Sequence, residues 1–145
     1  MHPLSKDILT FWFGTTDLTV EIEKRPVWFK STSEFDQHLI DHYADIHEQA
    51  AAGALDHLRE TPTDCLSLIL ALDQLPRNIF RGTARAFATD AKALDVALHA
   101  VTQGFDAVLP AGRGPSPICR LSIAKTLRCR IRAWSISLRS ELRRR

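Results

Sequence analysis

The sequence predicts an all-α protein, an antiparallel array of four to five helices of tetratricopeptide-like type joined by short connections. Three observations predict the helical class. Apolar residues recur at three- and four-residue steps, capping residues and glycines bracket those stretches, and no hairpin signal or sustained period-two alternation occurs. A chain of 145 residues buries a sizeable core as one domain without disulfides or metal.

Taken in order, Ser5 caps a first helix through Phe13, and Gly14 stops it. Ile8, Leu9, Phe11, Trp12 and Phe13 are dense enough to cover both faces. A polar connection, 15–26, leads to the aromatic pair Trp28-Phe29. Ser31-Thr32-Ser33-Glu34 matches a capping box and opens a helix to about Ala52, ended by Gly53. Its stripe is Phe35, Leu39, Ile40, Tyr43, Ile46 and Ala50. A short amphipathic piece with Leu55 and Leu58 precedes Thr61-Pro62. Thr63 or Asp64 caps the most apolar helix, Cys65 to Leu75, expected at the centre of the core. Pro76 cannot continue the helical ladder, because it lacks an N–H and its ring clashes with the preceding turn. The stretch Arg77–Gly82 is therefore a tight turn or short irregular helix. Asp90 caps the last helix, Ala91 to Gln103, with Leu94, Ala97, Leu98 and Val101 inward and Gly104 closing it.

Composition excludes several classes. Apolar content of 45% and charged content of 25% are ordinary for a globular chain. The longest apolar run, near Leu66–Leu72, falls well short of the roughly 18–20 residues a membrane span needs. No secretory leader is visible, and Cys65, Cys119 and Cys129 have no CxxC spacing, so a reducing, cytoplasmic setting is expected, with Cys65 a small buried hydrophobe. Histidines 38, 42, 47, 57 and 99 show no zinc-like pairing with carboxylates and read as solvent-facing; neither metal nor cofactor is expected. Trp12, Phe13, Trp28 and Phe29 read as core packing rather than a pocket. No phosphate loop, GxSxG or HExxH occurs.

The net charge of +2 hides a split. Residues 1–110 carry 9 Lys+Arg against 16 Asp+Glu, whereas residues 111–145 carry 10 against one. A basic arm of that kind suits nucleic acid or a membrane surface.

The segment with the most chemistry follows the most buried helix. Asp73, Gln74, Arg77, Asn78, Arg81, Thr83, Arg85, Thr89 and Asp90 fall between Asp73 and Asp90, interleaved with Leu75, Ile79, Phe80 and Phe87 as anchors. If helical geometry persists, Asp73, Arg77 and Arg81 stand on successive turns. Two guanidiniums so placed form a fork for a carboxylate or phosphate, and Gly82 supplies a turn or a close backbone approach. The same residues can equally tie off the orphan amides and carbonyls of two helix ends. Arg85 and Thr89 read as surface or capping residues.

FWFG at Phe11–Gly14, WF at Trp28-Phe29, FD at Phe35-Asp36 and above all LDQLPRNIFRGTARAFATD at Leu72–Asp90 resemble the bacterial family called domain of unknown function 924. The resemblance covers residues 4 to about 110. It implies the tetratricopeptide-like all-α fold and a cytoplasmic bacterial protein, and supplies no activity. Two mild departures are His57-Leu58-Arg59, where similar chains carry a tryptophan, and Leu75 in place of Phe.

A larger departure follows Leu109-Pro110. The family continues with a stretch of the type YLPxxHSEDL and a final helix, where this chain reads SPICRLSIAKTLRCRIRAWSISLRSELRRR. Shifting the reading by one base, with allowed codon choices, turns Pro117–Leu127 into Tyr-Leu-Pro-x-x-His-Ser-Glu-Asp-Leu. Residues 1–110 are therefore expected to be the helical domain. Residues 111–145 read as an out-of-frame basic tail, poorly packed or disordered, that leaves an apolar groove exposed.

Three functions follow as expectations. The first is a binding module for a peptide or small anionic ligand at Asp73, Gln74, Arg77, Asn78, Arg81, Thr83 and Asp90. The second is a hydrolase-like enzyme whose His-Ser-Glu-Asp half-site is missing in this frame. The third is nucleic-acid binding by the tail, which the frame-shift reading makes the weakest. Neither the oligomeric state nor the identity of the ligand is legible in the residues.

Overall fold

The computed structural model describes residues 1–105, apart from Thr19, residues 21–24 and Phe29. The domain boundary at residue 110, the basic tail 111–145, Cys119 and Cys129 lie outside the described residues. Among those described, every regular element is a helix. No described helix is long and apolar enough to cross a membrane.

Helix α1 spans Pro3–Phe13. Proline suits its first turn, where the missing N–H would have no helical partner. The cap is His2, whose ring Nδ1 accepts the Leu4 N–H at 3.2 Å. Ser5, expected as the cap, is instead fully buried, and its hydroxyl accepts a 2.8 Å bond from Ser67. Gly14 closes α1 at φ 79°, as its position predicts. The carbonyls at that end are covered from outside the helix: Trp28 Nε1 donates to Trp12 O at 3.0 Å, and Arg25 donates to Phe11 O and Trp12 O. Trp12 is buried and Phe13 meets Trp28 edge-on at 5.9 Å, so these aromatics pack as expected; Phe29 lies outside the described residues.

Helix α2 spans Ser33–Ala52 and ends at Gly53, φ 89°. The cap is displaced by one residue, and with Phe35 at its third position the expected Ser31–Glu34 capping box does not form. Thr32 caps the helix by accepting the Phe35 N–H at 3.2 Å, because the Ser31 hydroxyl is engaged with Asp36. The buried face is Leu39, Tyr43, His47 and Ala50, whereas Ile40 of the expected stripe faces solvent.

A 3₁₀ turn, Asp56–Glu60, buries Leu58 and leads into α3, Pro62–Asp73. Thr61 caps α3 with its side chain on the Asp64 N–H, two residues before the expected start. Asp64 is not a cap but an acceptor: it receives the His2 N–H at 2.8 Å and the Thr61 hydroxyl at 2.7 Å. Burial opposes its ionisation, yet these bonds, with Ser5 and the chain's amino terminus, hold its carboxyl below the ordinary range. Every residue from Asp64 to Asp73 is buried, and α3 is packed by α1, by α2 and by the 3₁₀ turn. This is the central helix the apolar run predicts; burying each of its leucines contributes about 1.5–3 kcal/mol.

Gln74 separates α3 from the short helix α4, Leu75–Ile79, with Pro76 in its first turn. A 3₁₀ turn, Ala84–Phe87, follows Gly82, whose φ of 78° meets the expectation of a turn glycine. Helix α5, Asp90–Thr102, then packs on α3. Its buried residues are Ala93, Val96, Ala97 and Ala100; of the expected inner face only Ala97 is among them, and Leu98 and Val101 are exposed. The face of α5 that packs on the leucine-rich α3 is thus the one with the smaller side chains.

Candidate functional site

The Asp73–Asp90 segment folds into three linked ion-pair groups against the C-terminal end of α3 and the outer side of α2. At the centre is Arg77. Its Nη2 donates to Asp73 Oδ1 at 3.2 Å and Asp90 Oδ1 at 2.8 Å, and its Nη1 donates to the Ala86 carbonyl at 2.6 Å. The Gln74 side-chain amide bonds the other oxygen of Asp73. The face of the guanidinium lies over the Phe87 ring, 4.2 Å from its centroid. Asp73, Gln74, Arg77 and Asp90 thus converge as the sequence predicts. Asp90 does not serve as a helix cap, because its carboxylate turns to Arg77 and Thr89 occupies the cap position. The Thr89 hydroxyl instead donates to Leu72 O at 2.7 Å, tying α3's last turn to the start of α5.

The second group is built on Arg81. Helix α4 stops at Ile79, so Arg77 and Arg81 are not on adjacent turns of one helix and do not form a shared fork. Arg81 reaches across to α2, where Nε and Nη2 grip Asp36 at 2.7 and 3.1 Å, while Nη2 also donates to Asn78 Oδ1 at 2.7 Å. The guanidinium is the largest cause holding the Asp36 carboxyl below its usual range, and Asp36 in turn raises Arg81. Thr83 stays local, its hydroxyl donating to Phe80 O at 2.8 Å.

The third group was not predicted. Arg85 bonds Glu48 of α2 and lies over the Phe80 ring at 4.1 Å. Phe80 meets the buried His47 edge-on at 5.3 Å, and His47 Nδ1 donates to Ala71 O at 2.9 Å. His47 was expected in solvent; burial follows from its place four residues after Tyr43, on the stripe that includes Leu39 and Ala50. That spacing was a readable signal. Asp36 and Glu48 had no comparable one, since their partners lie 45 and 37 residues away. Phe87, expected as an anchor, is 60% exposed.

Electrostatically the arginines are already answered. Arg77 faces two carboxylates, Arg81 one, and Arg85 one. Of a helix-end tie-off the geometry shows the Thr89 bond to Leu72 O and the Arg77 bond to Ala86 O, while the starts of α4 and α5 carry no side-chain cap. What stays open to solvent is more than half of each of the outer side chains, 55% of Arg81 and 63% of Arg85.

The fold and this cluster define an all-α protein in which the Asp73–Asp90 segment is tied to its helices by one half-buried arginine, Arg77, and two exposed ones, Arg81 and Arg85. The chain belongs to the family described as bacterial protein of unknown function, DUF924, whose profile matches residues 8–127. It is also similar to a solved structure of a protein of unknown function from Agrobacterium tumefaciens, at 31% identity and a TM-score of 0.66; the match covers 83% of this chain and 69% of that one. No curated protein matches the chain.

Proposed function

We propose that this chain is a helical binding module of tetratricopeptide-like form, whose ligand surface is the face where the Asp73–Asp90 motif lies on α2. The ligand is a peptide or a small molecule bearing a carboxylate or phosphate. The observation that carries this reading is the fixing of Arg81 and Arg85 by acids of α2 while most of each guanidinium-bearing side chain stays exposed. Asp36 and Glu48 are separated by twelve residues of α2, about 18 Å of helical rise. A ligand reaching both arginines must be extended, which favours a peptide, and Phe87 adds an exposed aromatic contact beside Arg77. Arg77, saturated by Asp73, Asp90 and Ala86 O, serves as the brace that holds this face in shape.

The test is a thermal-shift comparison with inorganic phosphate, citrate and short acidic peptides as probes. A stabilising probe should lose its effect in Arg81→Ala and Arg85→Ala, both substitutions of exposed side chains. Stabilisation that survives both would place the ligand elsewhere.

The hydrolase and nucleic-acid readings both draw on residues 111–145, outside the described residues, and gain no support. We further propose that Pro117–Leu127 is read one base out of frame. DNA sequence through this stretch that cannot encode the shifted motif would refute it.

A further inference from the structure

His38 and His42 stand one turn apart on α2, both exposed. Their rings stack with centroids 4.1 Å apart and planes 24° from parallel. His38 is stacked on its other side against Phe11 of α1, 4.9 Å away at 21°, so the pair extends an aromatic column rooted in the core. His42 Nδ1 lies 3.0 Å from the His38 carbonyl. A carbonyl only accepts, so Nδ1 carries the proton, and the neutral ring presents a bare lone pair at Nε2. Fixing one ring nitrogen by donation to a backbone carbonyl is how metal-ligating histidines are oriented. His38 makes no hydrogen bond through either ring nitrogen among the described residues, which leaves its lone pair available as well.

We propose that His38 and His42 form a two-histidine site for a borderline divalent transition-metal ion such as Zn²⁺, Ni²⁺ or Cu²⁺. Imidazole nitrogens prefer these ions over Mg²⁺ or Ca²⁺. A metal–nitrogen distance of about 2.0–2.1 Å needs the two in-plane lone pairs to converge on one point, so the stacked rings must turn out of their stack to ligate one ion. That motion is a rotation about χ2, which is soft for histidine. Among the described residues no third His, Cys, Asp or Glu joins the pair, so the other coordination positions go to water or to a ligand's own donor. Such an ion would clip one turn of α2, with the His38 ring giving up its stack on Phe11.

The other close histidine pair shows why this one is singled out. His2 and His57 have ring centroids 5.4 Å apart, but the His2 Nδ1 lone pair is spent on the Leu4 N–H that caps α1. Its neutral ring therefore carries the proton on the nitrogen that would have to ligate.

The experiment is a zinc titration of the tag-free full chain, followed by the ¹H–¹⁵N signals of the imidazole rings. The His38 and His42 signals should move together and saturate at micromolar zinc, with Mg²⁺ producing no shift. His38→Gln or His42→Gln should weaken binding about tenfold or more, as loss of even supporting contacts does at metal sites. His57→Gln should leave it unchanged. Ring signals that stay still below millimolar zinc would overturn the proposal, as would equal zinc affinity in the His38→Gln and His42→Gln proteins with their helical signal intact.

Discussion

Removing the Arg77 side chain is the sharpest test of how this fold is held. Arg77→Ala deletes three hydrogen bonds, to Asp73, Asp90 and the Ala86 carbonyl, together with the guanidinium over Phe87. Asp73 keeps the Gln74 amide but loses its cation, and its side chain is only 8% exposed. Deleting one partner of a fully buried ion pair costs about 3–5 kcal/mol. Arg77 and Asp90 retain 22% and 30% exposure, so solvent softens the loss toward the lower end of that range. We expect a loss of about 3 kcal/mol, which for a domain of this size lowers Tm by roughly 10 °C. Arg77→Lys should recover only part of it, since one ammonium cannot reproduce a planar fork spanning two carboxylates and a carbonyl. The assay is urea and thermal unfolding followed by far-ultraviolet circular dichroism. A loss below about 1 kcal/mol, the value typical of an exposed pair, would refute the view that this network locks the motif.

Other outcomes follow from the same structure. Asp36 has its folded pKa depressed by Arg81 from an ordinary value of 3.8, so its contribution is complete above that value and is lost as pH falls through the lower folded one. Acid unfolding curves should show this loss in the parent and less of it in Arg81→Ala. Burial pushes the Cys65 thiol up to about 11, so iodoacetamide at pH 8 should leave Cys65 unmodified in the native protein and label it after urea; rapid native labelling at that peptide would contradict its burial. His47→Leu removes the donor to Ala71 O and should cost about 1–3 kcal/mol by chemical denaturation, whereas a solvent-facing histidine would cost nothing measurable.

Much of the helical framework was legible from residue order alone. Gly14 and Gly53 end their helices and the run Cys65–Leu72 is the buried centre, whereas α3 ends at Asp73, short of the expected Leu75, and Pro76 sits in the first turn of α4. Backbone rules of this kind are local: a left-handed closing residue or a missing N–H acts whatever the rest of the fold does. The helix starts were not legible to the residue. His2, Thr32, Thr61 and Thr89 hold the cap positions where Ser5, Ser31, Thr63 or Asp64, and Asp90 were expected. Three of those polar side chains were taken by partners far along the chain, Ser5 by Ser67, Asp64 by the His2 amide and Asp90 by Arg77; Ser31 went to Asp36 nearby.

The candidate site divides the same way. That Asp73 and Arg77 pair could be read from their four-residue spacing, which puts them on one helix face. That Arg81 turns to Asp36 and Arg85 to Glu48 could not, because α4 ends between Arg77 and Arg81 and helix α2 lies beside it only in the folded protein. The inner face of α5 was decided by the same step. The apolar spacing pointed to Leu94, Ala97, Leu98 and Val101, but the residues buried against the rest of the fold are Ala93, Val96, Ala97 and Ala100. Sequence alone therefore determined which segments are helical, roughly where they stop and which stretch carries the polar cluster. Tertiary packing decided which carboxylate each arginine meets, because charge and volume are matched across elements and the chain order does not record which elements touch.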